Sequence, residues 1–341
     1  MQDSSESLIL QIIEEQDRGD KNIGSLIYSR AVIFHPTNRL TNIMKSRLKE
    51  VAEAGGSQMS LPLARSESQI NGERITIDLH GNYLLHSHRE ILEAILAHSD
   101  LVRLYPDDYD AGLKMGWNDV FRAVNSKEIS NRSSNENLDE SDGMVLSIGM
   151  YDLALRLGMT PHRKNYERIR DKLLQVQLAS LMVYKYSEDG EVSEASSLKF
   201  IKDLKFVFDT SKKNFSKVQT SNDCNHILLV PDNSLLEMIR DHGYFKRSDQ
   251  EKIPNYNGDL IKSFIKWVKT HKDTFIHTKK LGWAIDKYIN SLATPTNKNT
   301  YSRLENELLK CSEQIAKDFN IFIRLNADNE YQIFAAEEVK V

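Results

Sequence analysis

One order of elements recurs in this chain, and few architectures accommodate it. Residues 150–157 read as a short helix closed by Gly158, and Met159-Thr160-Pro161 follows as a turn. Thr160 is placed to cap the next helix, and Pro161 suits its first turn. That helix spans residues 162 to about 177, with Tyr166, Ile169, Leu173 and Val176 spaced for one buried face. A strand over 181–186, a turn at Asp189-Gly190 and an alternating run over 198–208 then predict a hairpin. Near the C-terminus the order returns. Helices are expected over 232–241, 259–270 and 278–289, and Thr294-Pro295-Thr296 makes a turn. A long helix over 297–319 follows, striped by Tyr301, Leu304, Leu308, Cys311 and Ile315, and strands over 321–325 and 331–334 close the series.

Short helix, turn, longer helix and hairpin is the order of a winged helix-turn-helix. The expected fold is therefore α+β, mainly α, with two tandem winged helix-turn-helix domains behind a flexible helical N-terminal region. Within that first region, residues 40–54 carry Ile43, Met44, Leu48 and Val51 on one helical face, ended by Gly55 and Gly56. A strand over 74–79 and a helix over 88–98 open the next domain, and a polar, acidic insertion occupies about 98–143. The expected division is 1–68, 69–222 and 223–341, which suits a 341-residue chain.

The net charge of −4 conceals a segregated distribution. Residues 156–172 and 196–218 each carry +4, and 262–287 carries +5, whereas 1–20 and 100–142 each carry −5. Basic islands in an acidic chain are the footprint of a phosphate-contacting surface. A mean hydropathy of −0.49, an acidic N-terminus and no long apolar run predict a cytoplasmic chain. Cys224 and Cys311 are too few for a disulfide framework or a four-cysteine zinc site.

With its apolar face inward, the 162–177 helix turns Arg163, Lys164, Asn165 and Arg168 outward near its leading end, where recognition helices meet bases. Arginine and asparagine suit bidentate contact with guanine and adenine edges, and Lys164, Lys212 and Lys213 suit phosphates. In the second unit Lys298, Asn299, Ser302 and Arg303 hold the corresponding positions, with Lys279 and Lys280 on the helix before. For each set the bland alternative is a solvated helix face. Two readers in one chain would reach successive major grooves about 34 Å apart.

The run SIGMYDLALRLGMTPHRKNYERIRDKLL at 147–174, the Asp-Thr-Ser-Lys-Lys turn within 206–215, and the patterns at 227–239 and 264–271 resemble TrfA-type plasmid replication initiators. The resemblance extends over about residues 69–334. It implies binding to direct repeats (iterons) in a replication origin and opening of an adjacent AT-rich region, including contact with its single strands. It further implies recruitment of the host initiator DnaA and the replicative helicase or its loader, with monomers active and homodimers inactive. The long acidic insertion departs from that pattern. Gln58-Met59-Ser60-Leu61-Pro62-Leu63 resembles the short peptide with which replication proteins bind the polymerase sliding clamp, although Met59 stands where leucine is usual. Gln58 would fill a polar subsite and Leu61 and Leu63 an apolar one; an ordinary linker is the competing reading.

Enzymatic readings find no carrier. The sequence holds neither a Gly-x-x-x-x-Gly-Lys-Ser/Thr loop nor a Gly-x-Gly-x-x-Gly turn, so no nucleotide cofactor is expected. His86-Ser87-His88 invites comparison with the metal site of rolling-circle nickases, but Ser87 is polar and the pair opens a helix. Helix-start histidines without a metal are the expectation. A double winged-helix transcription regulator is the alternative to an initiator.

Overall fold

The computed structural model describes residues 22–54, 61–70, 72–103, 144–187, 189–208, 224–297 and 299–336. It combines helix and sheet in the α+β manner that the sequence predicts. β1 (Asn22–Ser25) and α1 (Leu26–Arg30) lead to α2 (Asn42–Glu53), and β2 (Ala64–Ile70) pairs with β3 (Glu73–His80). α3 (His86–His98), β4 (Asp100–Arg103) and β5 (Met144–Gly149) precede α4 (Met150–Arg156) and α5 (Arg163–Leu178). Four strands follow in series: β6 (Ser180–Tyr186), β7 (Val192–Lys199), β8 (Ile201–Phe208) and β9 (Cys224–Pro231).

The second half continues with α6 (Asn233–His242), β10 (Gly243–Lys246), α7 (Arg247–Lys252), α8 (Asp259–Thr270) and α9 (Lys272–Phe275). It closes with β11 (Lys279–Lys280), α10 (Leu281–Asn290), α11 (Thr300–Lys310), α12 (Ser312–Phe319), β12 (Ile321–Leu325) and β13 (Tyr331–Ala335).

Among the described residues the strands form sheets ordered β2-β3-β6-β7, β4-β5-β9-β8, β11-β13-β12 and β1-β10. In the first half the 198–208 run is not one strand of the hairpin. Leu198 and Lys199 belong to the end of β7, which pairs with β6, and β8 leaves for the other sheet, where Phe206 stands opposite Ile227. In the second half the helix expected over 297–319 breaks at Cys311, so α11 and α12 are separate.

The N-terminal region is integral to the fold from residue 22. β1 pairs with β10, and Ile23, Tyr28 and Phe34 are almost wholly buried. Tyr28, Phe34 and Phe200 meet edge to face, with ring centres 5.2–5.8 Å apart. The division expected at 68/69 falls inside β2, whose pairing runs from Ala64 opposite Leu79 to Ile70 opposite Glu73. α8 is the central member: Ile261, Phe264 and Val268 are enclosed, and so are its polar residues Ser263, Lys266 and Thr270. A helix buried on every side must bond its polar groups internally.

The turn between α4 and α5 fixes where the second helix points. Gly158 adopts φ +67°, its N–H donates to the Leu155 carbonyl (2.9 Å), and the Met159 N–H donates to Ala154 (2.9 Å). This is a Schellman closure, in which a Cβ is costly. Gly158→Ala is expected to lower stability by about 1–2 kcal/mol, read as a shift in urea midpoint.

Candidate nucleic-acid interface

Ile169, Leu173 and Val176 are fully buried, which sets the rotation of α5 and leaves Arg163, Lys164 and Arg168 exposed near its N-terminal end. Tyr166 is only half-buried. The cap is His162 rather than Thr160: the Lys164 N–H donates to His162 Nδ1 at 3.3 Å. Asn165 is half-buried and its Nδ2 donates to the Thr160 carbonyl (2.8 Å), so its amide ties the turn together. Arg163 Nε stands 3.3 Å from Glu167 Oε1 on an exposed face. Such a pair contributes under about 1 kcal/mol, so the guanidinium can exchange it for another acceptor.

The second unit repeats the arrangement. Leu304 and Leu308 are buried, and Asn299, Ser302 and Arg303 are exposed on the leading turns of α11. Asn297 Oδ1 accepts from the Asn299 N–H and from Thr300 Oγ1, both at 3.1 Å, and closes the turn. Arg303 Nε lies 3.0 Å from Glu307 Oε1, the same Arg–Glu spacing of four as on α5. Lys280 is exposed and paired with Glu330 (2.8 Å), and Lys279 is half-buried with Nζ 5.9 Å from the Trp283 ring centre. Lys212, Lys213 and Lys298 lie outside the described residues.

Charge sums alone misplace part of the basic surface. Lys262, Lys266 and Lys269, which supply much of the third island, point inward to Glu90 (2.8 Å), Glu93 (2.5 Å) and Asp249 (2.6 Å). Lys172 of the first island is also buried, donating to Ser87 Oγ, and burial pulls its pKa down to about 8. Conversely, Lys287 and Arg324 are exposed basic residues outside the candidate set. Lys287 Nζ lies 6.0 Å from the centre of exposed Trp283, and Arg324 covers Phe322 and Phe334, which stack at 5.1 Å. The Trp283–Lys287 spacing of four, ahead of the Thr-Pro turn, is the signal that could have found the first of these.

Of the two histidines compared with a metal site, His88 bonds the start of α3. The Leu85 N–H donates to His88 Nδ1, and His88 Nε2 donates to Gln175 Oε1, both at 2.8 Å. His86 is fully enclosed, and burial together with the nearby Lys266, Arg89 and Lys262 holds its pKa well below the usual value. Among the described residues no group of three or more His, Cys, Asp or Glu side chains could hold a metal ion. No helix among them is long and apolar enough to cross a membrane.

Of the segment that resembles a clamp-binding peptide, Gln58, Met59 and Ser60 lie outside the described residues. Leu61 is exposed. Leu63 belongs to this chain's own core: it is 6% exposed, its N–H donates to the Leu79 carbonyl (2.7 Å), and its carbonyl accepts from Tyr83 Oη (2.7 Å). The Pro62 carbonyl accepts from Arg47 at 3.0 Å. In this arrangement Leu63 cannot enter another protein's pocket unless the segment leaves the sheet edge.

Comparison with known protein families and with curated proteins finds no match. Among solved structures, a crystal structure of domains 2 and 3 of RctB shares 13% identity at a TM-score of 0.46, over 79% of this chain and 89% of that chain. A second structure of RctB domains 2–3 shares 10% identity at a TM-score of 0.44, over 83% and 95% of the respective chains.

Proposed function

We propose that this chain is a replication initiator that grips repeated duplex sites in an origin with the leading ends of α5 and α11. The observation that carries the reading is the pair of helix-turn-helix units, each followed by a hairpin and each presenting arginine on an exposed first or second turn. In the second unit the short strand β11, ahead of the two helices, pairs with the last strand of the hairpin (Lys279 opposite Ile333), as in a winged helix. In the first unit β3 pairs instead with β6, the first strand of the hairpin, with Ile77 opposite Val183. Arg163, Lys164, Arg168, Ser302 and Arg303 are the contacts proposed here. Asn165 supports the turn that aims them.

Initiation, rather than regulation of transcription, is proposed on the resemblance of 147–174 and its downstream patterns to TrfA-type initiators. In this reading DNA opens through binding energy, without bond chemistry in the protein, and host replication proteins assemble on the complex. Footprinting on DNA flanking the gene, followed by titration at several salt concentrations, tests the binding. With about eight phosphate contacts, log K is expected to fall with log salt at a slope near −7. Arg163→Ala is expected to cost roughly 1–3 kcal/mol at the cognate site alone, and Lys164→Ala to weaken all sequences alike. A slope indistinguishable from zero removes the proposal.

A further inference from the structure

α3 bonds to one reading unit with one face and to the other unit with a different face. His86, Glu90 and Glu93, spaced by four and three, form a stripe toward α8, where Lys262 and Lys266 are spaced by four. Glu90 Oε1 meets Lys262 Nζ at 2.8 Å and Glu93 Oε2 meets Lys266 Nζ at 2.5 Å. Arg89 Nε completes a triad on Glu93 Oε1 at 2.7 Å. Ser87 and His88 instead meet Lys172 and Gln175 of α5. α8 in turn packs against α11. A continuous path therefore runs from α5 through α3 and α8 to α11.

The middle of that path is ionic and dry. Side-chain exposures are 3% for Arg89, 1% for Glu93 and 0% for Lys266. Arg89 Nη2 also donates to Ser29 Oγ (2.9 Å) and bonds Tyr244 Oη, and the Phe245 ring centre lies 4.7 Å from Lys266 Nζ. Apolar contacts are non-directional and tolerate slippage between helices. A buried ion triad does not: sliding by one helical turn, about 5.4 Å, strands a charge in a low-dielectric interior.

We propose that the Arg89–Glu93–Lys266 triad, with Glu90–Lys262 beside it, holds the two reading helices at one separation and angle and so selects the spacing between the half-sites the chain accepts. These are positioning residues, and their effect on DNA rests on the proposed function above. Two base pairs inserted between half-sites displace one by about 7 Å and turn it by about 70°, at roughly 10.5 base pairs and 34–36 Å per turn. A rigid protein then loses simultaneous engagement, whereas a loosely hinged one follows the DNA.

The test compares the full chain with a triple variant, Arg89→Met, Glu93→Leu and Lys266→Met, which replaces the triad by apolar groups of similar length. Glu93→Gln with Lys266→Met serves if the triple variant does not fold. Spin labels at Asp171→Cys on α5 and Asn306→Cys on α11, both exposed positions, report the interhelix distance when Cys224 and Cys311 are serine. The native triad is expected to give one narrow distance distribution and the variant a broad one. On footprinted DNA the native chain should lose about 100-fold in affinity on a two-base-pair insertion, and the variant less than about fivefold. A distribution equally narrow in the variant, or an unchanged insertion penalty, overturns the inference. Absence of duplex binding by the native chain overturns the proposed function instead, and the distance measurement still decides the inference.

Discussion

Lowering the pH from 7 to 5 is expected to remove about 4 kcal/mol of folding stability, well above the range in which carboxylates protonate. The cause is a set of enclosed imidazoles. Burial pulls His35 and His88 from 6.5 down to about 4, countered for His35 only by the Thr294 backbone and deepened for His88 by Lys172. His86 is held well below 6.5 as well. The unfolded chain therefore binds more protons than the folded one between these values, so stability falls as pH drops through about 6.5 and continues to fall toward 4. At pH 5 a ring shifted from 6.5 to about 4 contributes about 2 kcal/mol of this loss, so His35 and His88 together remove about 4 kcal/mol, and His86 acts in the same direction. Domains of this kind have about 5–15 kcal/mol to lose. His98 and His271, also depressed by burial, act in the same direction. Asp259, raised by burial and by Glu90, acts in the opposite one. Urea midpoints at pH 7, 6 and 5 check the expectation; a midpoint constant over that span, with a break only below about 4.5, refutes it.

The same burial explains which parts of the molecule are legible in its sequence. The outward set Arg163, Lys164 and Arg168 follows from three apolar residues at helical spacing, because rotation about a helix axis is fixed locally. Lys262, Lys266 and Lys269 look like any solvated lysines in the sequence, since the partners of the first two lie 172 and 173 residues away on α3. A stripe of His86, Glu90 and Glu93 is equally mute until α8 is laid against it. Alternation marks extended chain but neither its ends nor its partners: the 198–208 run is divided between the end of β7 and β8, and β8 pairs with β9 in another sheet. The break at Cys311 has no glycine or proline to announce it. The 22–34 segment, short and weakly periodic, owes its burial to β10 and Phe200, far downstream in the chain.

Glu93→Ala is expected to cost about 3–5 kcal/mol, the largest effect of any single substitution considered. Burial alone would raise the Glu93 carboxyl, but Arg89 and Lys266 together hold it below the usual carboxylate value, so it is an anion throughout the neutral range. Burial draws Lys266 down to about 8 even with Glu93 in contact. Removing the carboxylate leaves two enclosed cations facing each other, and neither has an exit to solvent. Lys266 can relieve the conflict by releasing its proton; Arg89 cannot, and its hydrogen-bond acceptors among the described residues are then Ser29 and Tyr244. The loss should consequently shrink as pH rises from 7 to 9, which a cavity alone would not produce. Adding Lys266→Met to Glu93→Ala should recover part of the stability, because one of the stranded charges is gone. Urea titration of the single and double variants at both pH values measures the coupling, and a loss below about 1 kcal/mol in the single variant would show that water reaches the triad.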